Sequence, residues 1–150
     1  MRYFLKSYFL LYCLITLVTE SFAHDAPKSN PVSTYSIVAY DEKTGEFGVA
    51  VQSHWFSVGF LVPWAKAGVG AVATQSFVKV EYGPDGLALM EDGKSAKEAL
   101  DQLISEDEGQ AVRQVAMIDS KGGIAAHTGK NCIFAAGHTI GKNYSVQANL

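Results

Sequence analysis

The chain reads as an α+β layered sandwich, and three observations point there. Extended segments come in pairs joined by turn-length loops, and two helical segments fall between the pairs. Small or apolar residues also occupy both faces of two strands, as they do in sheets covered on both sides. Periodicity gives this class and not the order of the layers.

Thr34 to Tyr40 is rich in β-branched and aromatic residues and predicts the first strand. Asp41-Glu-Lys-Thr-Gly45 is a polar loop of hairpin length closed by a glycine, and Glu46 to Ser53 returns as the second strand. Val49-Ala-Val51 and Val69 to Thr74 carry small or apolar residues in succession, so both segments are expected between layers. Tyr82-Gly-Pro-Asp-Gly-Leu87 opens a short helix, with Pro84 in the first turn and Gly93 placed to end it. Ser95-Ala-Lys-Glu98 has the spacing of a capping box, after which Ala96, Ala99, Leu100, Leu103 and Ile104 form one apolar stripe at helical spacing. That helix should pack on a sheet. Arg113 to Asp119 and Ile124 to Thr128 make a second hairpin through Ser120-Lys-Gly-Gly123, and Tyr144 to Ala148 is a last strand.

The first residues have the order of a secretory signal peptide: Arg2 and Lys6, an apolar run from Tyr8 to Val18, and Ser21-Phe-Ala23 as the cleavage site. The run is well short of the roughly 20 residues that span a bilayer, so membrane contact is expected only during export. A secreted or periplasmic protein follows. Tyr12 is too large to precede a lipid-modified Cys13, and Cys13 leaves with the leader. Cys132 then stands alone, and no disulfide within this sequence is expected. Residues 24–33 hold two prolines and polar residues without periodicity, which suits a linker or a propeptide. Twelve basic residues against fifteen acidic ones, with the lysines scattered, leave no basic track for a phosphate backbone, so nucleic acid is excluded as an expected partner.

Several phrases occur together and in order: Ser36-Ile-Val-Ala39, Gly48-Val-Ala-Val51, Val62-Pro-Trp-Ala65, Gly70-Ala-Val-Ala-Thr-Gln75, Ala125-Ala-His-Thr-Gly129 and Ser145-Val-Gln147. In them residues 34–150 resemble the uncharacterised N-terminal-nucleophile (Ntn) hydrolase-like family known as domain of unknown function 1028. The resemblance implies a four-layer αββα sandwich. It also implies that the chain is the N-terminal part of a longer domain, incomplete at the C-terminus.

An Ntn hydrolase uses a Thr, Ser or Cys at its mature N-terminus, where the free α-amine serves as base for the adjacent side chain. Thr34, at the head of the first strand, matches that place, but signal cleavage at Ala23 does not expose it and a second cut after Ser33 is needed. The alternative reading of Thr34 is a strand residue chosen for β-propensity. Ser53 ends the second strand where an Ntn fold faces the nucleophile, and could hydrogen-bond it; Ser53-His54 could equally just open the following loop. Lys66 does not match the spacing of an Ntn lysine and reads as solvated. Gln75 brings an amide to the end of an apolar strand, where it must be paired if buried, and could hold an oxyanion or tie down a loop.

Other chemistry is thin. His127, Cys132 and His138 are metal-binding types without metal-binding spacing, and Gly68-Val-Gly-Ala-Val-Ala73 is followed by no helix pattern, so neither metal nor cofactor is expected. Asn143-Tyr-Ser145 is a glycosylation sequon, meaningful in a eukaryotic secretory pathway. The expected function is therefore that of an exported amidohydrolase or peptidase acting on an amide through Thr34. The rival is a non-catalytic cell-envelope or peptidoglycan-associated binding module on the same scaffold.

Overall fold

The computed structural model of the chain describes residues 33–149; the expected leader and nearly all of the connector lie outside them. Among the described residues eight strands and two α-helices follow in order: β1 (Thr34–Tyr40), β2 (Phe47–Ser53), β3 (Pro63–Lys66), β4 (Gly70–Ser76), α1 (Tyr82–Glu91), α2 (Ala96–Ser105), β5 (Arg113–Asp119), β6 (Ile124–Thr128), β7 (Gly137–Gly141) and β8 (Tyr144–Asn149). The class is α+β, as the pairing of strands predicts. The strands form two antiparallel four-stranded sheets, one ordered β2-β1-β8-β7 and the other β3-β4-β5-β6. They pack face to face, and both helices lie on the far face of the second sheet.

Side-chain alternation divides the core in two. Val72, Val115 and Met117 point from the second sheet toward the helices, where they meet Tyr82, Leu87, Met90, Ala99 and Leu100. Ala71, Ala73, Ala116 and Ile118 point the other way and meet Val38 between the sheets. Both central strands of that sheet are therefore covered on both faces, as expected for Val69 to Thr74. The same expectation fails for Val49-Ala-Val51. Val49 and Val51 face the sandwich interior, but Ala50 on the opposite face is exposed, because no described element lies over that side of the first sheet.

Local signals hold where they are strong. The first helix ends in a Schellman motif: Gly93 has a positive φ of 96°, its N–H donates to Met90 O, and Lys94 N–H donates to Leu89 O. The second begins with the full capping box, Glu98 N–H to Ser95 Oγ and Ser95 N–H to Glu98 Oε2. The Asp119 carboxylate accepts from Lys121 and Gly123 N–H in the β5–β6 turn and from Ala96 N–H, so one side chain fixes both the hairpin and the start of the second helix.

A polar end to the sandwich as the candidate functional site

Register brings the candidate residues to one end. Thr34 lies opposite Ser53 on β2 and opposite Asn149 on β8, so all three side chains leave the same face of the first sheet. Across the sandwich Gln75 on β4 lies opposite Gln114 on β5. Asn149 Nδ2 donates to Gln114 Oε1 at 3.0 Å, a bond that joins the two sheets at this end.

The interior face is polar here and apolar at the other end. Thr34 Oγ1 and Ser53 Oγ are 2.8 Å apart, and Ser53 Oγ also accepts Trp55 N–H at 3.1 Å. One step along, Ser36 Oγ donates to Gln147 Oε1 at 2.7 Å, while Gln147 Nε2 donates to Ser145 Oγ at 2.6 Å. Gln75 Nε2 donates to Gln114 Oε1 at 2.8 Å. Gln114 Nε2 in turn faces Thr128 Oγ1, Gly137 O and Ala148 O within 3.1 Å. Burying so many dipoles is tolerable because they satisfy one another. One does not: Gln75 Oε1 is buried with no hydrogen-bond partner, on a residue only 1% exposed. An orphaned buried carbonyl oxygen costs about 1–3 kcal/mol. Its orientation is fixed by its neighbours, since turning the Gln75 amide over would set its oxygen against Gln114 Oε1, acceptor against acceptor.

Loops 54–62, 77–81 and 129–136 all leave this end, after β2, β4 and β6. They carry Trp55, Phe56, Phe60, Phe77 and Phe134, all exposed. Two serines there adopt left-handed backbone, Ser57 at φ 62° and Ser76 at φ 70°, the latter directly after Gln75. Serine holds that conformation only where surroundings enforce it, and such residues concentrate at functional sites.

The sequence-expected residues are thus distributed plainly. Thr34 and Ser53 are in hydrogen-bond contact, and Gln75 belongs to the amide cluster of the same end. His54 is exposed, its ring tilted against Trp55. Lys66 lies at the surface with Glu91. His127, Cys132 and His138 are engaged separately: His127 Nε2 with Gln110 O, His138 Nδ1 with Thr128 Oγ1, and Cys132 Sγ with Arg113 O and Ser76 Oγ. Sequence reasoning missed Gln114 and Asn149. Gln114 carries the same signal that singled out Gln75, an amide in a run of buried apolar residues, whereas Asn149 at the end of the sequence has no pattern around it.

Two open grooves lie elsewhere. One of about 880 Å³ runs over the outer face of the first sheet, lined by Tyr35, Ile37, Ala50, Val146 and Ala148, and borders the polar network at Ser36, Gln147 and Gly137. Another of about 660 Å³ sits beside the β1–β2 turn. Neither includes Thr34, Ser53, Gln75, Gln114 or Asn149, so the Thr34–Ser53 pair is assigned as the site on its chemistry.

Comparison with known proteins agrees with this description. A model described as a family of unknown function (DUF1028) matches residues 34–150. A crystal structure of a Silicibacter pomeroyi protein assigned to the same family superposes with a TM-score of 0.75 at 29% identity, covering 79% of this chain. The match takes in 53% of that protein, so this chain spans about half the length of its solved relative. No functionally curated protein matches.

Proposed function

Because the chain belongs to DUF1028, a family without an established activity, we propose its function from the polar end: an exported amidohydrolase or peptidase of the Ntn type, with Thr34 as nucleophile. The observation that carries this reading is the 2.8 Å pairing of Thr34 Oγ1 with Ser53 Oγ; among the described residues no imidazole, carboxylate or lysine is hydrogen-bonded to that hydroxyl. A hydroxyl nucleophile needs a base. Ser53 is not one, and the missing group is the α-amine of Thr34 itself, whose pKa once freed is about 7.7 to 8.0. Oγ1 would attack the amide carbonyl carbon, the amine would carry the hydroxyl proton to the departing nitrogen, and water would then release the acyl group by the same route. Ser53 orients the hydroxyl. Gln75, with Gln114 and Asn149, supplies the amide wall of the same site.

The same reading requires residues 24–33 to be a removable propeptide and residues 1–23 to be an export signal. It also takes the fold to be the four-layer αββα sandwich, with a fourth, helical layer over the outer face of the first sheet, supplied by chain beyond Leu150. The solved relative, about half of which this chain spans, is long enough to hold such a layer.

The test is intact-mass and N-terminal sequencing of protein purified from its own host, followed by labelling with a β-lactone. Mature protein should begin at Thr34 and take the label there. Thr34→Ala should abolish labelling with the fold intact, and Thr34→Ser should keep part of it. Mature protein that still carries residues ahead of Thr34 overturns the nucleophile and leaves the non-catalytic envelope-binding reading in its place.

A further inference from the structure

The three loops that leave the Thr34 end hold five large aromatic side chains in the open: Trp55, Phe56 and Phe60 between β2 and β3, Phe77 after β4, and Phe134 between β6 and β7. Phe56 and Phe134 are as exposed as in an extended chain, and Trp55 and Phe60 are 70% and 81% exposed. The loops are tied together at their bases. Ser76 Oγ meets Cys132 Sγ at 3.7 Å, which joins the second loop to the third, and Thr74 N–H donates to Val62 O at 3.1 Å, which joins the end of the first loop to the strand that the second one leaves. Backbone bonds within the loops, Leu61 N–H to Val58 O and Ala136 N–H to Ile133 O, hold the turns while the aromatic rings stay in solvent. Single exposed apolar residues are ordinary, but this many on adjoining loops mark a contact surface.

The chemistry of the surface selects its partner. Four of the five side chains are phenylalanine and carry no polar atom, so they offer a sugar or a charged peptide nothing but an apolar body. Neither groove described above includes any of them, and protruding tips outside a cavity suit a fluid apolar medium that closes round them. Charge agrees. Residues 54–62 hold no Asp, Glu, Lys or Arg, and residues 77–81 and 129–136 add Lys79, Glu81 and the exposed Lys130, two lysines against one glutamate on a chain of formal net charge −3. Trp is the side chain that settles at the level of lipid headgroups. We infer that this end is a peripheral membrane-binding surface, whose aromatic tips enter the boundary between headgroups and acyl chains of a phospholipid bilayer while Lys130 faces the phosphates of anionic lipid. Such a contact needs no spanning segment, and among the described residues no helix is long and apolar enough to cross a membrane. It is independent of the leader and of whether Thr34 is a nucleophile.

The experiment mixes protein purified from its own host with vesicles of phosphatidylcholine, with and without phosphatidylglycerol, a portion of them carrying brominated acyl chains. The protein should cosediment with both kinds of vesicle, its tryptophan emission should move to shorter wavelength, and the brominated chains should quench it. Trp55→Phe should still bind while losing the shift and the quenching, which assigns the signal to Trp55. Phe56→Ser, Phe60→Ser and Phe134→Ser combined should weaken partitioning by at least about a hundredfold, because three apolar side chains lose their burial. Lys130→Ala should weaken it about fivefold, and only on vesicles that contain phosphatidylglycerol. All these positions are exposed, so the variants should keep the melting temperature of the parent. Tyr35→Lys combined with Val146→Lys, on the outer face of the first sheet, should bind as the parent does. A parent that stays off both kinds of vesicle, a triple serine variant that binds equally well, or binding that is lost in the outer-face variant overturns the inference. So does a Trp55 already shielded from iodide in the protein alone, because the loops are then covered by a second copy or by chain outside the described residues. Sedimentation velocity of the parent and the triple variant tells those two covers apart.

Discussion

Asp107 collects the donors that close the turn between the second helix and β5. Its carboxylate accepts from Tyr82 Oη at 3.1 Å, Arg113 Nε at 2.9 Å and Gly109 N–H at 3.0 Å, with Lys79 Nζ 3.8 Å away. Burial works against the charge of this carboxylate, but the hydrogen bonds from Arg113, Gly109 and Tyr82 and the charge of Arg113 outweigh it and hold the carboxyl below its ordinary range. The Tyr82 phenol is pushed strongly upward, first by burial and then by the adjacent carboxylate. The sign follows from the depressed value. Stability from Asp107 is fully present above the unfolded pKa of about 3.9 and is lost as pH falls through the lower folded value. Asp107→Asn should therefore cost roughly 3 kcal/mol near neutrality, where it leaves Arg113 without its carboxylate and only the Phe77 carbonyl as acceptor, and the gap should close below about pH 4. Urea melts of both proteins at pH 7, 5 and 3 check this, and a gap that is the same at all three would remove the ionic component. None of this network was legible in the sequence, since Asp107 stands in an acidic surface-like stretch. Gln75 was legible, because an amide inside an apolar strand demands a partner wherever it goes.

At the scale of elements, the helices were readable because their signals are local. The capping box uses residues three apart, and the apolar stripe of the second helix repeats with the helical period. Ser95→Ala should cost about 0.5 to 2 kcal/mol by stranding a backbone donor, and an unchanged denaturation midpoint would show that the cap contributes nothing. Glu98 is held below its ordinary range, first by its hydrogen bond from the Ser95 amide, so the other half of the box weakens as acid protonates it. Gly83 tells of a constraint that no local pattern shows. A Cβ there would land on the Trp64 ring, which packs against the first turn of the first helix. Gly83→Ala should destabilise by about 1–3 kcal/mol although alanine is the better helix former, and a gain in melting temperature would mean that Trp64 moves aside freely. Trp64 belongs to β3, which sequence reasoning did not find. β3 is four residues long and starts with a proline, tolerated because it opens an edge strand. β7 was missed for a related reason: Gly137-His-Thr-Ile-Gly141 has little β-propensity of its own and becomes a strand by pairing with β8.

For the whole molecule, the layer order is the part that hydrophobic period cannot give. Pairing β1 with β8 joins the two ends of the described chain in the middle of one sheet, and that pairing places Asn149 beside Thr34. Only long-range contact encodes it. The layers also differ in how they are finished. The second sheet has helices on its outer face; the first sheet presents Tyr35, Ile37, Ala39, Gly48, Ala50, Gln52, Tyr144, Val146 and Ala148 outward without one charged side chain. An antiparallel sheet that faces water normally alternates apolar-in with polar-out. This face does not, and Tyr35 and Val146 stay 46% and 38% exposed. The protein should therefore bind an apolar dye such as bis-ANS at this face. Replacing Tyr35 and Val146 by Lys should cut the fluorescence while shifting stability by no more than about 0.5 kcal/mol each, as for surface sites. Val38, buried between the sheets on the opposite side of the same strand, makes the control, since Val38→Lys should unfold the domain. If the double Lys variant also unfolds, the outer face is itself an interior and the helical layer proposed beyond Leu150 is needed for the fold. If it folds and still takes up dye, the dye reads the exposed loop aromatics at the Thr34 end instead of the outer face.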